Sequence, residues 1–362
     1  MNDDCLLLQA LRAPAALPRL TLADWDGLIR QARKAGLLAR LRHVLDVAGV
    51  LDAIPAQPRA HLDWADVTAR GHAHRVQVEV DAIRKALHDK ELILLKGAAY
   101  TVADLPAARG RVFSDIDILL PREHLVDAEN ALMAAGWVAT HHDAYDQRYY
   151  RQWMHELPPL QHIRRETVID VHHAILPQTM AVHPDPALLR AAAVPVPGHA
   201  GLRMLAPFDM LLHSAAHLFY DGEMVHSLRD LSDLDLLLRH FTQEPQQLPD
   251  FWVGLMARAR ELELTRVLFY ALRYTHRLLQ TPVPDAAFTA AEAGSPGPFL
   301  LRIMDHLYLH TLLPDLPDLP GRIDHGAAWA RSCLYIRANW LRMPPLMLGR
   351  HLFHKAFLSP RN

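Results

Sequence analysis

Two aspartates, Asp115 and Asp117, alternate with isoleucines in the segment SDIDILLP, and this spacing is the most informative feature of the sequence. A short apolar run closed by proline predicts a β-strand. Because side chains alternate between the two faces of a strand, both carboxylates would lie on one face, about 7 Å apart. Such a pair is electrostatically costly unless a cation neutralises it. The spacing therefore predicts a divalent ion, and magnesium would suit a site shared by these carboxylates and the phosphates of a nucleotide.

A third carboxylate, Asp170, stands in the later segment VIDVHHAI, between Ile169 and Val171. Asp170 and His172 would share one face of a partly buried strand. If this strand pairs beside the one that carries Asp115, three carboxylates and an imidazole surround one point, as two-metal phosphoryl or nucleotidyl transfer requires. Asp170 would then be a base or a ligand of the second metal. His172 would be either a substrate contact or a hydrogen-bonded structural histidine.

The residues around these carboxylates resemble a known family. Lys96 and Gly97 end an apolar run, ELILLKG, and Arg111 precedes the aspartates with R-x3-D spacing. Over roughly residues 20–240, the motifs L-K-G, R-x3-D-x-D and D-x-H resemble the nucleotidyltransferase fold of the DNA polymerase beta superfamily. More narrowly, they are similar to a bacterial family of uncharacterised nucleotidyltransferases. The resemblance implies transfer of a nucleoside monophosphate from a nucleoside triphosphate to an acceptor hydroxyl, with release of pyrophosphate.

The resemblance also implies roles for the carboxylates. Asp115 and Asp117 would hold two Mg²⁺ or Mn²⁺ ions, one of which would also touch the triphosphate. Asp170 would complete the metal site and help to deprotonate or position the acceptor hydroxyl. The implied catalytic and metal-binding residues are therefore Asp115, Asp117 and Asp170.

The nucleotide would be bound by residues that precede the first aspartate along the chain, and these are Lys96, Gly97, Arg111 and Ser114. Gly97 would let backbone amides approach the phosphates, and Lys96 would donate to the β or γ phosphate. Ala98 stands where the wider superfamily has a serine, so Lys96 and Arg111 would take over its contacts. Two alternatives stay open, because Arg111 could merely pair with Asp115 and Ser114 could be only a strand-edge residue.

The histidines outside these motifs are expected to pack between helices or to be exposed to solvent, rather than to bind a metal. His213 and His217 have the i, i+4 spacing of zinc ligands, but the glutamate of an H-E-x-x-H motif is missing. We therefore expect helix-packing histidines there. His155 and His162 lie in polar connections, where we expect solvated imidazoles.

Two charged helical segments have less specific interpretations. Arg229, Asp230 and Asp233 open a helix whose leucines face inward, which predicts a solvated charged face rather than a place beside the active cleft. Residues 331–355 form a basic segment with interspersed Trp and Leu, for which packing against the other helices is favoured. Peripheral contact with a membrane surface, a protein or a phosphate backbone is its alternative.

Composition limits the class of protein. The chain has 362 residues, 51% of them hydrophobic, and a formal net charge of −2, so no global basic field attracts a polyanion. Its two cysteines, Cys5 and Cys333, exclude a disulfide framework and a CxxC zinc site. The N-terminal segment has no signal-peptide pattern and no run of about 18 apolar residues occurs. We expect a cytoplasmic protein without a transmembrane segment.

The elements that must position the site predict an α+β fold. Helical periodicity covers residues 1–89, a small mixed-sheet nucleotidyltransferase core is expected over 90–200, and an all-helical domain over 201–362. Within the core, residues 145–176 predict a hairpin or meander. Residues 177–207, rich in Ala, Pro and Val, predict a surface linker.

The acceptor is not specified by these residues and could be a small molecule, a protein or an RNA end. A toxin-type enzyme that acts on RNA ends is one alternative, and the near-neutral charge argues against it. A catalytically inactive nucleotide-binding or assembly protein of the same fold is another, and the three intact carboxylates argue against that.

Overall fold

The computed structural model describes residues 5–112, 115–140, 144–243, 248–314 and 325–344, together with residues 346, 348 and 349. In these ranges the chain forms fifteen α-helices and seven β-strands. The helices are α1 (Leu6–Arg12), α2 (Leu22–Lys34), α3 (Leu38–Val47), α4 (Ala56–Ala86), α5 (Lys96–Val102), α6 (Leu125–Ala134), α7 (Ala144–Trp153), α8 (Pro186–Ala192), α9 (Pro207–Tyr220), α10 (Ser227–Phe241), α11 (Leu248–Glu261), α12 (Thr265–Leu279), α13 (Asp285–Ala291), α14 (Pro298–Leu312) and α15 (His325–Arg342). The strands are β1 (Leu92–Leu94), β2 (Asp115–Leu119), β3 (Trp137–Ala139), β4 (Leu160–His162), β5 (Val168–His172), β6 (Val194–Pro195) and β7 (Leu202–Met204).

The seven strands form one mixed sheet in the order β3-β4-β5-β2-β1-β7-β6. The central strand β2 runs parallel to β5 and antiparallel to β1, and β1 runs parallel to β7. Helical segments precede and follow the sheet along the chain. The expected α+β class, with helical N-terminal and C-terminal regions around a small mixed sheet, is confirmed.

The helical lead-in forms where its sequence signals predict. Thr21 begins α2 as a capping box, in which its hydroxyl accepts from the Asp24 amide at 3.2 Å and its own amide donates to the Asp24 carboxylate at 3.0 Å. This exchange satisfies amides that the first helical turn leaves without partners. The long helix α4 then brings the chain to β1.

The segment 145–176 is only partly the hairpin that its sequence predicts. The strands β4 and β5 do pair as a hairpin. The expectation is wrong for the beginning of the segment, which forms α7. There Arg151 donates to Gln147 one turn earlier at 2.9 Å and to Glu129 on α6 at 2.6 Å. These contacts stabilise a helix for which the sequence shows no clear apolar period.

The predicted surface linker at 177–207 is also wrong. It contains α8, β6 and β7, with Leu189, Val196 and Leu202 buried. β7 covers the open side of β1, whose apolar residues would otherwise stand at an exposed sheet edge. The sheet thus continues to Met204, and the division of the chain at residues 90 and 200 stays a prediction.

Buried apolar side chains from Cys5 to Leu334 form one connected cluster that joins the N-terminal helices, the sheet and the C-terminal helices. The sheet therefore shares its core with the helices on both sides of it. None of the helices in the described ranges combines the length and the apolar character that crossing a bilayer needs.

Candidate metal and nucleotide site

Three carboxylates meet where β2 lies beside β5. The parallel register places Asp117 directly opposite Asp170, and Asp115 precedes Asp117 by two residues on the same strand face. One oxygen from each of the three lies within 4.8 Å of the other two. The predicted pairing of these two strands is confirmed, and with it the convergence of the three acids.

The surroundings of Asp170 do not offer enough positive charge to stabilise its ionised form. Burial raises the pKa of Asp170 to about 8, and the charges of Asp117 and Glu156 add to the rise. Its Oδ1 is buried and has no hydrogen-bond partner among the residues that the structure describes. A divalent cation would supply both the missing charge and the missing contact. Because all three donors are carboxylate oxygens, Mg²⁺ or Mn²⁺ fits this set.

Asp117 differs from Asp170 because it has cationic partners. Its Oδ2 lies 3.4 Å from the Nζ of Lys96, and its Oδ1 lies 2.9 Å from the Nε2 of His172. Burial alone would raise the pKa of Asp117, but the charge of Lys96 and the hydrogen bond from His172 hold it well below its ordinary value. Asp117 is therefore an ionised carboxylate at neutral pH.

Lys96 lies at the turn between β1 and α5, where its backbone has φ +40°. This is the left-handed region that residues other than glycine seldom adopt. Its Nζ lies between Asp117 and the Nδ1 of His217, which is 3.4 Å away. Burial would lower the pKa of Lys96, but the charges of Asp117, Asp115 and Glu156 outweigh it and raise the pKa. The site thus contains one firmly protonated amine.

Arg111 is bound by carboxylates of α10. It pairs with Asp233 and lies 3.5 Å from an oxygen of Asp230, and its guanidinium stands 5.9 Å from the centre of the Tyr100 ring. The expectation of a solvated charged face on α10 is therefore wrong, since Asp233 is only 3% exposed. Helical periodicity could not show that buried arginines would neutralise these acids.

Arg40 of α3 is a buried partner that the sequence did not suggest. Its Nη1 lies 2.7 Å from Asp233, its Nη2 donates to the carbonyl of Ala107 at 2.5 Å, and its Nε donates to the carbonyl of Arg109 at 3.2 Å. Arg40 thereby holds the loop that contains Arg111 and leads towards β2. Nothing in the local pattern of α3, where Arg40 lies among leucines and alanine, distinguishes it from a surface arginine.

His172 is buried behind Asp117 and lies between two carboxylates. Its Nε2 faces Asp117, and its Nδ1 lies 3.2 Å from an oxygen of Glu156. Glu156 also forms a backbone bridge with His172, and the ring of His155 lies 5.2 Å from that of His172. This placement agrees with a hydrogen-bonded histidine, and the role of His172 as a substrate contact stays a prediction.

The other histidines are less solvated than their sequence context suggests. His162 is only 5% exposed, packs edge-on against Trp137, and its Nδ1 accepts from the amides of Arg164 and Arg165. Burial holds the pKa of His155 well below its ordinary value. The predicted solvated imidazoles at these two positions are therefore wrong, because His162 belongs to β4 and the backbone at His155 is hydrogen-bonded to His173 just after β5.

The two histidines of α9 separate into different surroundings. His213 is buried among the helices, as expected of a packing histidine, and burial holds its pKa well below the ordinary value. His217 reaches the site itself, between Lys96 and Asp221, whose carboxylate is 3.9 Å away. The expectation of a packing histidine therefore holds for His213, whereas His217 contacts the site.

Residues 21–280 match a family model described as an uncharacterised nucleotidyltransferase. The chain belongs to this family. It has no significant match among curated proteins or among solved structures. The matched region includes the N-terminal helices from α2 onwards, the whole sheet and the helices up to α12.

In this member of the family, the structure brings together some of the residues proposed from sequence and not others. Asp115, Asp117 and Asp170 converge, and Lys96 lies beside them. Gly97 is buried inside the short helix α5, where its carbonyl accepts from Thr101, and its role in binding phosphate stays a prediction. Ser114 lies outside the described residues. Three residues near the site escaped sequence reasoning, namely Arg40, His155 and Glu156, because their partners are distant in the chain.

Proposed function

We propose that the protein is a metal-dependent nucleotidyltransferase that moves a nucleoside monophosphate from a nucleoside triphosphate to an acceptor hydroxyl. The observation that carries this proposal is the convergence of Asp115, Asp117 and Asp170, within 4.8 Å of one another, in a member of a nucleotidyltransferase family. The strand register supports it, since it places Asp170 directly beside Asp117. The polymerase beta-type fold implied by the motifs is part of the same proposal.

In this proposal, Asp115, Asp117 and Asp170 hold Mg²⁺ or Mn²⁺. When bound, the ions supply positive charge for the triphosphate and activate the acceptor hydroxyl. Asp117 suits this role because Lys96 and His172 keep it ionised. Asp170 suits it because, within the described part of the chain, its buried Oδ1 has no hydrogen-bond partner.

The transfer step requires one bond to form and one to break. The acceptor oxygen attacks the α-phosphorus, and the bond from that phosphorus to the oxygen bridging to the β-phosphate breaks, so that pyrophosphate leaves with the bonding electrons. Asp170 accepts the proton of the acceptor hydroxyl. Burial raises the pKa of Asp170, so this carboxylate takes up a proton more readily than an exposed one would.

Lys96 is the proposed main contact to the leaving phosphates. Its side chain is 14% exposed and its charged amine stands beside the carboxylates, so the amine can donate to a phosphate bound there. Arg111 would assist mainly through its charge, because its guanidinium is already bound by Asp230 and Asp233. Gly97 and Ser114 complete the proposed nucleotide-binding set.

The nucleotide is proposed to be ATP or another nucleoside triphosphate, and the compartment to be the cytoplasm. Both cysteines are free, which suits a reducing compartment. The net charge of −2 offers no general attraction for RNA, so a small molecule or a protein is favoured as acceptor over an RNA end.

Labelled nucleotides test the proposal directly. Purified protein is incubated with each α-³²P-labelled nucleoside triphosphate, Mg²⁺ and a cell extract, and the labelled protein, RNA and small molecules are separated. We expect label in one acceptor class, with one pyrophosphate released per label and none with Asp115→Asn or Asp170→Asn. Magnesium-dependent nucleotide binding without any transfer would instead support the inactive nucleotide-binding alternative, and label in RNA the toxin-type one.

A further inference from the structure

A second group of potential metal ligands lies directly behind the carboxylates and shares no residue with them. It consists of His155, Glu156 and His172, and one ligand atom from each lies within 4.8 Å of the other two. The Nδ1 of His172 is 3.2 Å from Oε2 of Glu156, and the Nε2 of His155 is 3.9 Å from the same oxygen. The segment that follows α7 brings the first two residues beside the end of β5.

The imidazole nitrogens of this group have poor hydrogen bonding for buried atoms. His172 is only 3% exposed, and its Nδ1, although close to Glu156, makes no well-aligned hydrogen bond to any residue that the structure describes. The Nδ1 of His155 is likewise buried and without a hydrogen-bond partner in the described ranges. A buried polar atom left in this way costs about 1 to 3 kcal/mol. A bound ion would give a ligand role to the Nδ1 of His172, which otherwise carries this cost, and would also face the Nε2 of His155.

The donor atoms indicate the class of ion. Two imidazole nitrogens with one carboxylate oxygen are a set that zinc and neighbouring transition metals accept, whereas Mg²⁺ prefers oxygen alone. His172 also directs its other nitrogen, Nε2, at the Asp117 carboxylate from 2.9 Å. A carboxylate on the far nitrogen is the usual partner of a metal-bound histidine, because it fixes the ring and its tautomer.

The present spacing is close to that of a coordinated site. Ligands about 2.0 to 2.2 Å from a tetrahedral zinc ion lie roughly 3.3 Å from one another. His172 and Glu156 already have that separation, at 3.2 Å. The Nε2 of His155 lies 3.9 Å from the same oxygen and would have to come about 0.6 Å closer.

We propose that His155, Glu156 and His172 bind a transition-metal ion such as Zn²⁺, separately from the magnesium or manganese held by the three aspartates. The ion leaves one coordination position for water and holds His172 in the orientation in which it supports Asp117. This site does not depend on the proposed transfer reaction, since it uses different residues and a different class of donor.

Cobalt is the probe, because Co²⁺ substitutes for zinc and absorbs visible light more strongly at four-coordinate nitrogen-containing sites than at octahedral oxygen sites. Protein without a histidine tag is treated with chelator, dialysed, and titrated with Co²⁺ in the presence of excess Mg²⁺. We expect a visible band that saturates at one equivalent. His155→Gln and Glu156→Gln should each weaken Co²⁺ binding at least tenfold, whereas His183→Gln, at an exposed histidine, should leave it unchanged.

Circular dichroism melting identifies variants that fail to fold, and the two independent ligand variants ensure that a loss of structure in one does not decide the result. The proposal is overturned if the band is absent, or if both ligand variants bind Co²⁺ as tightly as the wild type. It is also overturned if Asp115→Asn removes the band while His155→Gln keeps it, because the ion would then lie among the aspartates.

The same experiment separates this inference from the proposed function. Asp115→Asn should abolish magnesium-dependent nucleotide binding and leave the cobalt band intact. If the wild-type protein shows the cobalt band but binds no nucleotide, the transferase proposal fails and the metal site stands.

Discussion

Asp170 is the residue whose proton most directly governs the proposed metal site. Burial and the charges of Asp117 and Glu156 raise its pKa to about 8, so in the metal-free protein the carboxyl is largely protonated at neutral pH. An ion that binds the carboxylate must therefore displace a proton. The affinity of the proposed site for metal therefore depends on pH through the Asp170 side chain.

The affinity for Mg²⁺ with a non-hydrolysable nucleoside triphosphate should therefore rise with pH. We expect an increase of up to about tenfold per unit between pH 6 and 8, and a plateau above pH 8 where Asp170 is already ionised. Isothermal titration calorimetry at four pH values measures this. Asp170→Asn should bind Mg²⁺ more weakly and should lack the part of the pH dependence that comes from Asp170. Any pH dependence that remains in the variant then belongs to the nucleotide itself. Identical slopes in the variant and the wild type would contradict the assignment.

Lys96 gives a second prediction at the same scale. If it contacts the phosphates, Lys96→Ala should weaken triphosphate binding by about 1.5 to 3 kcal/mol, or roughly 10- to 150-fold, because a charge-assisted hydrogen bond is lost. Binding of the nucleoside alone should change little. Fluorescence titrations with both ligands test this, with Lys85→Ala on the exposed side of α4 as control. Equal losses for nucleoside and triphosphate would identify a structural lysine.

At the scale of elements, the loop before β2 is positioned by direct contact with helix α3. Gly110 has φ +66°, and a Cβ there would lie 2.4 Å from the Arg40 amide nitrogen and 2.5 Å from the Ala39 carbonyl carbon. The loop and the helix backbone are thus packed without room for a methyl group. This close approach sets where the chain enters the strand that carries Asp115.

Gly110→Ala should consequently destabilise the protein more than its backbone conformation alone would predict. Gly198 is the matched control, since it also has positive φ, at +75°, but nothing lies within 4 Å of its hypothetical Cβ. We expect Gly198→Ala to cost about 1 to 2 kcal/mol through the left-handed conformation. Gly110→Ala should cost about 1 to 3 kcal/mol more through overpacking. Urea unfolding compares the two, and equal costs would mean that the loop can move away from α3.

At the scale of the whole molecule, one buried charge network joins three regions of the chain. Asp233 of α10 pairs with both Arg40 of α3 and Arg111 of the loop before β2. Arg40 also donates to two carbonyls of that loop. The N-terminal and C-terminal helices are therefore linked to each other and to the loop before β2 through the same few side chains.

Removal of one member of this network should have large effects on stability. Asp233→Asn leaves two buried arginines without their shared carboxylate, so we expect a loss of about 3 to 5 kcal/mol in the free energy of unfolding. The exposed pair of Arg30 and Asp26 on α2 is the control, and Arg30→Met should cost less than about 1 kcal/mol. Denaturant unfolding measures both. Similar small losses would show that the network does not hold the three regions together.

Several features of this protein were decided by local sequence alone. Strand alternation is enough to place Asp115 and Asp117 on one face, and the capping residues Thr21 and Asp24 are enough to begin α2, because the groups involved are within three residues of each other. The hairpin of β4 and β5 is also local. The sequence predicted that Asp170 would lie near Asp117 only if their two strands paired. In the structure β2 and β5 do pair.

The partners of the site were decided only by the tertiary structure. Glu156, His155 and Arg40 lie in segments whose local patterns resemble ordinary turns and helices, and their contacts reach residues 16 to 193 positions away along the chain, as between Glu156 and His172 or Arg40 and Asp233. Periodicity distinguishes apolar from polar positions, so it assigned the acids of α10 to solvent. A carboxylate can be stabilised either by solvating water or by the opposite charge of a buried arginine. Only the packing of distant helices determines which of the two surrounds it.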